Sequence, residues 1–404
     1  MSAYRIFNNI YSVGVLNPNM RIFDVIMRTE YGTSYNSYIV KGAQKTALIE
    51  TCHEAFFDVF LANIREVCEF ESIDYIILNH CEPDHSGSLA RLMDYCKNAT
   101  IIVSRAGSIY LKNITNSDTL PVTVVKDADK IDLGGGCVLT FISAPFLHWP
   151  DSMFTWLEND GVLFSCDFLG AHYCEPYVFD TNIAYPQKYE SALKVYFDAI
   201  FSPFIGYVHN GLDKIAGLDI NAVCTSHGPV LTKGCKLESA IEKYKEWCKQ
   251  DLKVNMQIPV FYCSAYGNTA KIAQAICEGI ISAIPSAVAQ AIDINDFDMA
   301  ELVHRLNSSD AFAIGSPTIN SDAVPPVWKL LGEADAINNK KKPALVFGSY
   351  GWSGEAVPNI IARLNGLKMN VFSDGYRINF VPTKEDLKKA ADYAREFSLT
   401  LNKN

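Results

Sequence analysis

The chain of 404 residues is 49% hydrophobic and 20% charged, so it is long enough for two globular domains with substantial cores. Its formal net charge of -10 at pH 7 argues against nucleic acid as a partner. No apolar stretch reaches membrane-spanning length and no signal peptide is recognisable at the start, so we expect a cytoplasmic protein without membrane association. The twelve cysteines include no CxxC pair and fit reduced thiols better than a disulfide framework.

Strand-like and helical segments alternate without a fixed repeat up to residue 252. The predicted strands are Tyr38–Val40, Ala47–Glu50, Tyr75–Asn79, Ile101–Ser104, Val122–Lys126, Val138–Ser143, Met153–Leu157 and Val162–Ser165. The predicted helices are Ala55–Val67, Gly87–Tyr95 and Leu237–Gln250. This mixed pattern predicts a first domain, residues 1–252, in which two packed sheets are covered by helices.

A regular alternation of strands and helices begins near Gln257 and predicts a second domain over residues 253–404. Its predicted strands are Ile258–Cys263, Ala287–Ile294, Ala311–Gly315, Ala344–Gly348 and Met369–Phe372. Its predicted helices are Thr269–Ile284, Ala300–Asn307, Ala356–Leu367 and Lys384–Leu399. The pattern is typical of a doubly wound parallel sheet in an α/β domain, which binds ligands at the carboxyl ends of its strands.

The hexapeptide His80-Cys81-Glu82-Pro83-Asp84-His85 follows an apolar run and contains four good metal ligands. Three more candidates follow in turn-like settings, and the full set is His80, Glu82, Asp84, His85, His148, Asp167 and His227. Each has an ordinary alternative, since a lone histidine is usually structural and an aspartate before a helix is often its N-cap. All seven in this order predict a binuclear centre, with Asp167 as the bridge because its two oxygens can reach both ions.

Three loops follow the first, third and fourth predicted strands of the second domain. The first loop is rich in small and hydroxylated residues and leads into a helix, which predicts a phosphate cradle. It has no Lys, no Arg and no GxGxxG, so a triphosphate or dinucleotide site is disfavoured. Tyr350 and Trp352 are placed to flank a flat ring, so the three loops together predict an FMN site. The candidate FMN residues are Ser264, Tyr266, Gly267, Asn268, Thr269, Ser316, Pro317, Thr318, Ile319, Asn320, Ser349, Tyr350, Gly351, Trp352, Ser353 and Gly354.

Each half of the chain resembles a known fold. The second domain resembles flavodoxin, with the phosphate loop as its most specific motif. The order of the seven ligands in the first domain resembles the metallo-beta-lactamase fold, an αββα sandwich. Hydrolases of that fold usually carry His where this chain has Glu82. A carboxylate there makes the site richer in oxygen donors, which favours iron over zinc.

The combination resembles the flavodiiron proteins, also called A-type flavoproteins, over nearly the whole chain. The resemblance rests on the motifs NHCEPDHSGS (79–88), LHWPDSM (147–153), SCDFLGAH (165–172) and TSHGP (225–229), together with the flavodoxin loops. It implies FMN and two non-haem irons, one held by His80, Glu82 and His148, the other by Asp84, His85 and His227, with Asp167 as the bridge. It also implies a head-to-tail homodimer, which can pair into a dimer of dimers, in which the flavin of one subunit serves the irons of the other.

Two residues near the ligands are candidate catalytic groups. His172 lies five residues after Asp167, and we expect it to donate a hydrogen bond near the irons without binding them. Tyr196 lies in the segment KVYFDAIFSPF, which resembles the family stretch that bears a tyrosine close to the irons. The remaining histidines, His53, His209 and His304, are expected at structural or surface positions.

The resemblance implies an oxidoreductase that reduces dioxygen to water, with electrons passed from a donor through FMN to the diiron centre. The alternative substrate is nitric oxide, reduced to nitrous oxide, because the ligands are the same for both activities. A dizinc hydrolase is disfavoured by the flavin domain, and a pure electron carrier is disfavoured by the complete ligand set. The resemblance also implies a separate electron donor, rubredoxin or a reduced deazaflavin, since the paired CxxC motifs of a rubredoxin module are lacking.

Overall fold

The computed structural model of the protein describes residues 2–24, 27–249 and 255–401. The chain divides into two compact units, Met1–Gln250 and Asp251–Asn404. The predicted domain boundary between residues 252 and 253 lies outside the described residues and stays a prediction, as does the predicted helix end at residue 250. None of the helices within the described ranges combines the length and the apolar composition that crossing a bilayer requires.

The first unit contains two sheets of short strands. Its strands are β1 (Tyr4–Phe7), β2 (Ile10–Ser12), β3 (Val15–Asn17), β4 (Ile22–Phe23), β5 (Met27–Arg28), β6 (Thr33–Tyr35), β7 (Tyr38–Lys41), β8 (Thr46–Ile49), β9 (Tyr75–Ile77), β10 (Thr100–Val103), β11 (Val122–Val124), β12 (Lys130–Asp132), β13 (Val138–Ser143), β14 (Met153–Leu157), β15 (Val162–Cys166), β16 (Ala222–Thr225) and β17 (Leu231–Thr232). Its helices are α1 (Phe57–Val67), α2 (Pro83–Ser86), α3 (Leu89–Leu92), α4 (Arg105–Thr115), α5 (Pro186–Tyr196), α6 (Ile205–Ile215) and α7 (Leu237–Trp247). One sheet has the order β1-β2-β7-β8-β9-β10-β11, and the other has the order β12-β13-β14-β15-β16-β17.

A shared apolar core packs these two sheets face to face. Ile49 and Ile77 of the first sheet are buried in one cluster with Phe141 and Phe164 of the second. Side chains alternate between the two faces of a strand. The side chains on the outer faces of these sheets are apolar too, so helices must cover them. Helix α1 packs on the outer face of the first sheet, and helices α5 to α7 pack on the outer face of the second. The result is an αββα sandwich, which confirms the predicted fold of the first domain.

The second unit is a parallel sheet with helices on both faces. Its strands are β18 (Val260–Tyr262), β19 (Ala291–Asp293), β20 (Phe312–Pro317), β21 (Pro343–Tyr350), β22 (Asn370–Val371) and β23 (Tyr376–Asn379). Its helices are α8 (Asn268–Ala283), α9 (Met299–Ser308), α10 (Pro325–Gly332), α11 (Ala356–Gly366) and α12 (Lys384–Leu401). The strand order is β19-β18-β20-β21-β22, and β23 also pairs with β21. This order is that of a flavodoxin-like doubly wound sheet, as predicted.

Several elements differ from those predicted. The predicted helix Gly87–Tyr95 is too long, because only α3 within it is helical, and α2 lies before it in a segment without a predicted element. The predicted strand Ala287–Ile294 is extended only over β19. The last predicted strand, Met369–Phe372, contains β22, and a turn after it, in which Gly375 has a φ of 76°, leads into β23, which was not predicted. Helices α4, α5, α6 and α10 lie in segments without a predicted element.

We expect Gly279→Ala to destabilise the second unit, because α8 and α12 approach each other closely at this residue. A Cβ atom at Gly279 would clash with the backbone carbonyl of Ala391, which cannot move without moving α12. Overpacking of this kind typically costs about 1–3 kcal/mol, measurable as a lower midpoint of urea unfolding. Gly366→Ala is the matched control, since nothing lies within 4 Å of its Cβ position. Equal midpoints for the two variants would contradict the packing argument.

Candidate functional site

The seven predicted metal ligands lie together at one edge of the first unit. His80 and Glu82 follow β9, Asp84 and His85 lie in α2, His148 lies between β13 and β14, Asp167 follows β15, and His227 follows β16. Strand β9 is parallel to β10 and β15 is parallel to β16, so carboxyl ends of strands from both sheets supply the site. All seven side chains are buried except that of His148, which is partly exposed.

A first group is formed by His80, Glu82 and His148 with one oxygen of Asp167. The Nε2 atoms of His80 and His148 each lie 3.1 Å from Glu82 Oε2. The same two nitrogens lie 3.8 Å and 3.6 Å from Asp167 Oδ2. Four donor atoms therefore surround one point, as the ligands of a single cation would.

A second group is formed by Asp84, His85 and His227 with the other oxygen of Asp167. His227 Nε2 lies 3.0 Å from Asp84 Oδ2 and 3.4 Å from Asp167 Oδ1. His85 Nε2 lies 3.4 Å from Asp84 Oδ1 and 3.2 Å from Asp167 Oδ1. Asp167 thus turns one carboxylate oxygen toward each group, which is the geometry of a bridge between two neighbouring cations.

The donor atoms fit two cations better than they fit one another. Within the described part of the chain, both carboxylate oxygens of Asp84, Nε2 of His85 and Oδ2 of Asp167 are buried without a hydrogen-bond partner. Orphaned buried polar atoms are costly, so their convergence indicates a missing partner. Metal bonds of about 2.0–2.2 Å place ligand atoms about 3–3.6 Å apart, close to the separations within each group. Mixed imidazole and carboxylate donors suit iron.

Electrostatics favours ionised carboxylates in this buried cage. Burial opposes ionisation of Asp167, but the charge of the neighbouring His85 outweighs it and holds the pKa of Asp167 well below its usual value. Burial is likewise overcome at Glu82, where the neighbouring imidazoles of His148 and His80 lower the pKa. Three carboxylates, Glu82, Asp84 and Asp167, can then offset three of the four positive charges of two divalent ions.

The backbone around Asp167 is shaped to present this side chain. The pairing of β15 with β16 shifts register between Phe164 and Cys166, and Cys166 has a φ of 53°. Bulges of this kind re-aim side chains and are common next to active sites. A positive φ in a non-glycine residue is strained and persists where the surroundings require it. The bulge therefore directs Asp167 out of the strand and between the two groups.

Buried acceptors orient two of the ligating imidazoles. His80 Nδ1 lies 3.1 Å and 3.2 Å from the two carboxylate oxygens of Asp151, and Asp151 also accepts the backbone N–H of Cys81 at 2.7 Å. His227 Nδ1 donates to the carbonyl oxygen of Ser34 at 2.7 Å. With the proton fixed on Nδ1, the Nε2 lone pair of each ring is free for a metal. Sequence reasoning missed both acceptors, although Asp151 lies in the LHWPDSM motif.

His172 and Tyr196 both lie beside the second group. Tyr196 donates its hydroxyl hydrogen to Asp167 Oδ1 at 3.0 Å, and burial holds the pKa of this phenol well above its usual value. His172 Nδ1 lies 2.8 Å from Thr33 Oγ1, and burial holds the pKa of His172 well below its usual value. The His172 ring lies 4.8 Å from the His227 ring, centroid to centroid. Both residues therefore contact ligand side chains, and Tyr196 keeps its proton at neutral pH.

A third cluster of possible ligands, Glu50, His85 and Cys166, lies behind the second group. It shares His85, whose Nε2 already faces Asp84 and Asp167, so it is not an independent metal site. Burial raises the pKa of Glu50 to about 7, and burial also raises the pKa of the Cys166 thiol. Glu50 accepts the backbone N–H of Asn79 at 2.9 Å and so fixes the segment that leads to His80.

The three predicted flavin loops follow β18, β20 and β21 in the structure. Gly267 has a φ of 79° and turns the chain into the N-terminus of α8. Thr269 and Ser349 are buried, and their hydroxyl oxygens lie 2.9 Å apart, so the first and third loops meet. Backbone N–H groups at a helix start, with hydroxyls beside them, form an anion site suited to a phosphate.

Some predicted flavin residues are occupied within their own loops. The Ser316 hydroxyl donates to the carbonyl of Pro317 and accepts from the N–H of Val324. Thr318 Oγ1 accepts the N–H of Ala356 at the start of α11. The Ser316 hydroxyl hydrogen is thus used within the loop, whereas the structure gives Thr318 only an accepted hydrogen bond. Direct contacts of these two residues with the flavin stay a prediction.

The aromatic residues of the loops differ in their availability to a flat ring. Trp352 is 97% exposed and Tyr266 is 92% exposed. Tyr350 is partly buried, because the backbone of Gly354 lies against its ring. Trp352 and Tyr266 are therefore open to a flat ring, whereas Tyr350 exposes less of its surface, and the predicted pairing of Tyr350 with Trp352 stays a prediction.

Comparisons with known proteins agree with both halves of the structure. A family model described as ODP family beta lactamase matches residues 33–228, and one described as flavodoxin matches residues 260–393. The flavo-diiron protein FprA2 of Clostridium acetobutylicum is 53% identical, over 99% of this chain and 100% of that protein. The anaerobic nitric oxide reductase flavorubredoxin of Vibrio vulnificus is 35% identical, over 88% of this chain and 72% of that protein.

Solved structures agree over the full length. Rubredoxin oxygen:oxidoreductase from Desulfovibrio gigas has a TM-score of 0.73 and 26% identity, covering 99% of each chain. The flavodiiron protein from Giardia intestinalis has a TM-score of 0.70 and 27% identity, covering 100% of this chain and 97% of that chain. The chain therefore belongs to the flavodiiron protein family, a class of oxidoreductases.

We expect Asp151→Asn to weaken metal binding by about 10–100-fold, because an amide cannot give His80 the anionic acceptor that fixes its ring. The measurement is iron per chain after dialysis against a graded series of chelator concentrations. Asp118→Asn is the control, since Asp118 is an exposed carboxylate whose partner is Lys112. Identical chelator curves for the two variants would show that Asp151 does not orient a metal ligand.

We expect Thr269→Val to weaken flavin binding about tenfold, because the buried hydroxyl that meets Ser349 is lost from the phosphate loop. Fluorescence titration of the flavin-free protein with FMN measures the dissociation constant. Ser282→Ala removes a hydroxyl from the exposed side of the same helix and should leave the constant unchanged. An unchanged constant in Thr269→Val would exclude this loop as the phosphate site.

Proposed function

We propose that the protein is an oxidoreductase that reduces dioxygen to water, with electrons passed from a separate donor through FMN to a non-haem diiron centre. The observation that carries the proposal is the pair of ligand groups bridged by the two oxygens of Asp167. His80, Glu82 and His148 would hold one iron, and Asp84, His85 and His227 the other. Two ferrous irons and a reduced flavin together supply four electrons, the number needed to reduce dioxygen to two waters.

The residues around the irons contribute binding, orientation and protons. Asp151 and the Ser34 carbonyl keep the imidazoles of His80 and His227 turned toward the metals. Tyr196 retains a hydroxyl proton beside Asp167, because burial raises its pKa, and can offer that proton as a hydrogen bond to an oxygen atom nearby. The ligand side chains of the second group are buried, so bulk water has little contact with them.

Nitric oxide is the second candidate substrate. Support comes from the 35% identical relative from Vibrio vulnificus, which is called an anaerobic nitric oxide reductase, whereas the structural neighbour from Desulfovibrio gigas is called an oxygen oxidoreductase. Coupling two nitric oxide molecules to nitrous oxide needs two electrons, which is half of the four that the reduced flavin and the two ferrous irons supply. We propose dioxygen first, because its reduction requires all four electrons. A dizinc hydrolase is less favoured, since hydrolysis has no use for the flavodoxin unit or for the oxygen-rich Glu82 position.

We propose rubredoxin or a reduced deazaflavin as the electron donor and a cytoplasmic setting. The names of the Vibrio and Desulfovibrio relatives contain rubredoxin, and all twelve cysteines of this chain are free thiols, as expected in a reducing compartment.

We further propose a head-to-tail homodimer in which the flavin of one subunit reduces the irons of the other. The exposure of Trp352 and Tyr266 beside the flavin loops, and of part of His148 in the metal site, leaves both sites approachable.

The test of this function is turnover with each of the two gases, started from protein that has been reduced under anaerobic conditions. We expect protein that contains about two irons and one FMN per chain to show a higher kcat/KM for dioxygen than for nitric oxide, measured with gas electrodes and a reduced donor. Asp167→Asn should lose most of its iron and its turnover, because an amide offers only one good donor oxygen. Asp219→Asn, at an exposed carboxylate, is the control. A higher kcat/KM for nitric oxide would reverse the substrate assignment, and zinc with no turnover would exclude the reductase.

A further inference from the structure

A cavity of about 410 Å³ opens in the first unit beside the metal site. Its walls include the apolar side chains of Met27, Ala192 and Val195, and His172 and Tyr196 also line it. Ala192, Val195 and Tyr196 all belong to α5. The volume far exceeds that of a water molecule, and the apolar part of the wall offers water few hydrogen-bond partners.

Two rings separate this cavity from the second ligand group. His172 and Tyr196 pack edge to face with centroids 4.9 Å apart. Tyr196 is hydrogen-bonded to Asp167 Oδ1, the oxygen that faces His85 and His227. The cavity therefore approaches the metal centre from the side of the second group. The first group lies on the other oxygen of Asp167 and includes the partly exposed His148.

His172 presents an unused polar atom in this region. Its Nδ1 shares a hydrogen bond with Thr33, whereas its Nε2 is buried with no partner among the described residues. The whole residue is nearly inaccessible to solvent. A buried nitrogen without a partner indicates a ligand that visits the site.

The polar groups at the rim are largely engaged with the protein. The Arg21 guanidinium donates to the carbonyls of Pro18 and Met20 at 2.9 Å and 2.7 Å. The Thr29 hydroxyl also donates to Met20, and Arg28 and Glu30 bring opposite charges. The apolar part of the wall, at Met27, Ala192 and Val195, offers a charged ligand no partner. A small uncharged molecule that prefers an apolar space, such as a diatomic gas, fits that part better.

We propose that this cavity is the route and waiting site by which the gaseous substrate reaches the metal centre, past the contact between His172 and Tyr196. The inference rests on the proposed function, because it presumes that dioxygen or nitric oxide is the substrate. It separates the two reactants: gas enters beside the second group, and the partly exposed first group remains available for electron transfer.

Val195→Trp tests the route. The larger side chain would occupy part of the cavity, and Val195 is an exposed residue of α5, so the core would not be disturbed. The kcat/KM for dioxygen should fall by about tenfold, whereas kcat at saturating gas, iron content, FMN content and the rate of flavin reduction by the donor should not change. Val59→Trp is the matched control, since Val59 and Val195 are both 47% exposed on helices of the same unit. Equal kcat/KM values in the two variants would overturn the proposal.

Xenon provides a readout that does not depend on turnover, because it binds to apolar parts of protein cavities. Crystals of the holoenzyme pressurised with xenon should show the atom between Val195 and Tyr196, and the site should vanish in Val195→Trp but persist in Val59→Trp. Absence of xenon from the wild-type cavity would overturn the proposed route. If wild-type protein reduced neither gas, the proposed function would fail, and xenon would still decide whether the cavity accepts a gas.

Discussion

The sharing of the Asp167 carboxylate between two ligand groups is the constraint on which the rest of the site depends. Each oxygen faces two imidazole nitrogens, so the side chain has no freedom to rotate without abandoning one group. The bulge at Cys166 places it, and the Tyr196 hydroxyl fixes one oxygen. Burying three carboxylates together would be prohibitive without cations, so the fold and the metals stabilise each other.

The sandwich makes this arrangement possible because strands from both sheets end at one edge. The His80 segment comes from the first sheet, and Asp167 and His227 come from the second. The core between the sheets fixes the distance between these ends, since close-packed interiors do not deform continuously. Backbone contacts such as that from Asn79 to Glu50 then hold each loop in register with its strand. The packing of the core therefore fixes the positions of the metal ligands.

Sequence reasoning found the residues that have chemistry of their own, and the family resemblance added Tyr196, but Asp151 and Ser34, which orient neighbouring histidines, were missed. The seven ligands stand out because imidazoles and carboxylates follow strands at a fixed order, and the flavin loops stand out because strands, small residues and helices alternate. Asp151 could not be assigned in the same way, because its contact with His80 spans 71 positions of the chain. The short length of α3 and the presence of β23 were missed for a related reason: tertiary contacts decide them, and local periodicity does not.

The two ligand groups differ in their electrostatic surroundings, so the two metal positions are not equivalent. In the first group, His80 donates to a full carboxylate, and in the second, His227 donates to a neutral carbonyl. A charged acceptor makes the imidazole a stronger donor, so the first group presents more negative charge to its ion. That group also includes His148, the one ligand that is partly exposed, whereas the second lies behind Tyr196 and His172. The first group is therefore the more approachable of the two, whereas the second group has the proton-bearing Tyr196 hydroxyl beside it.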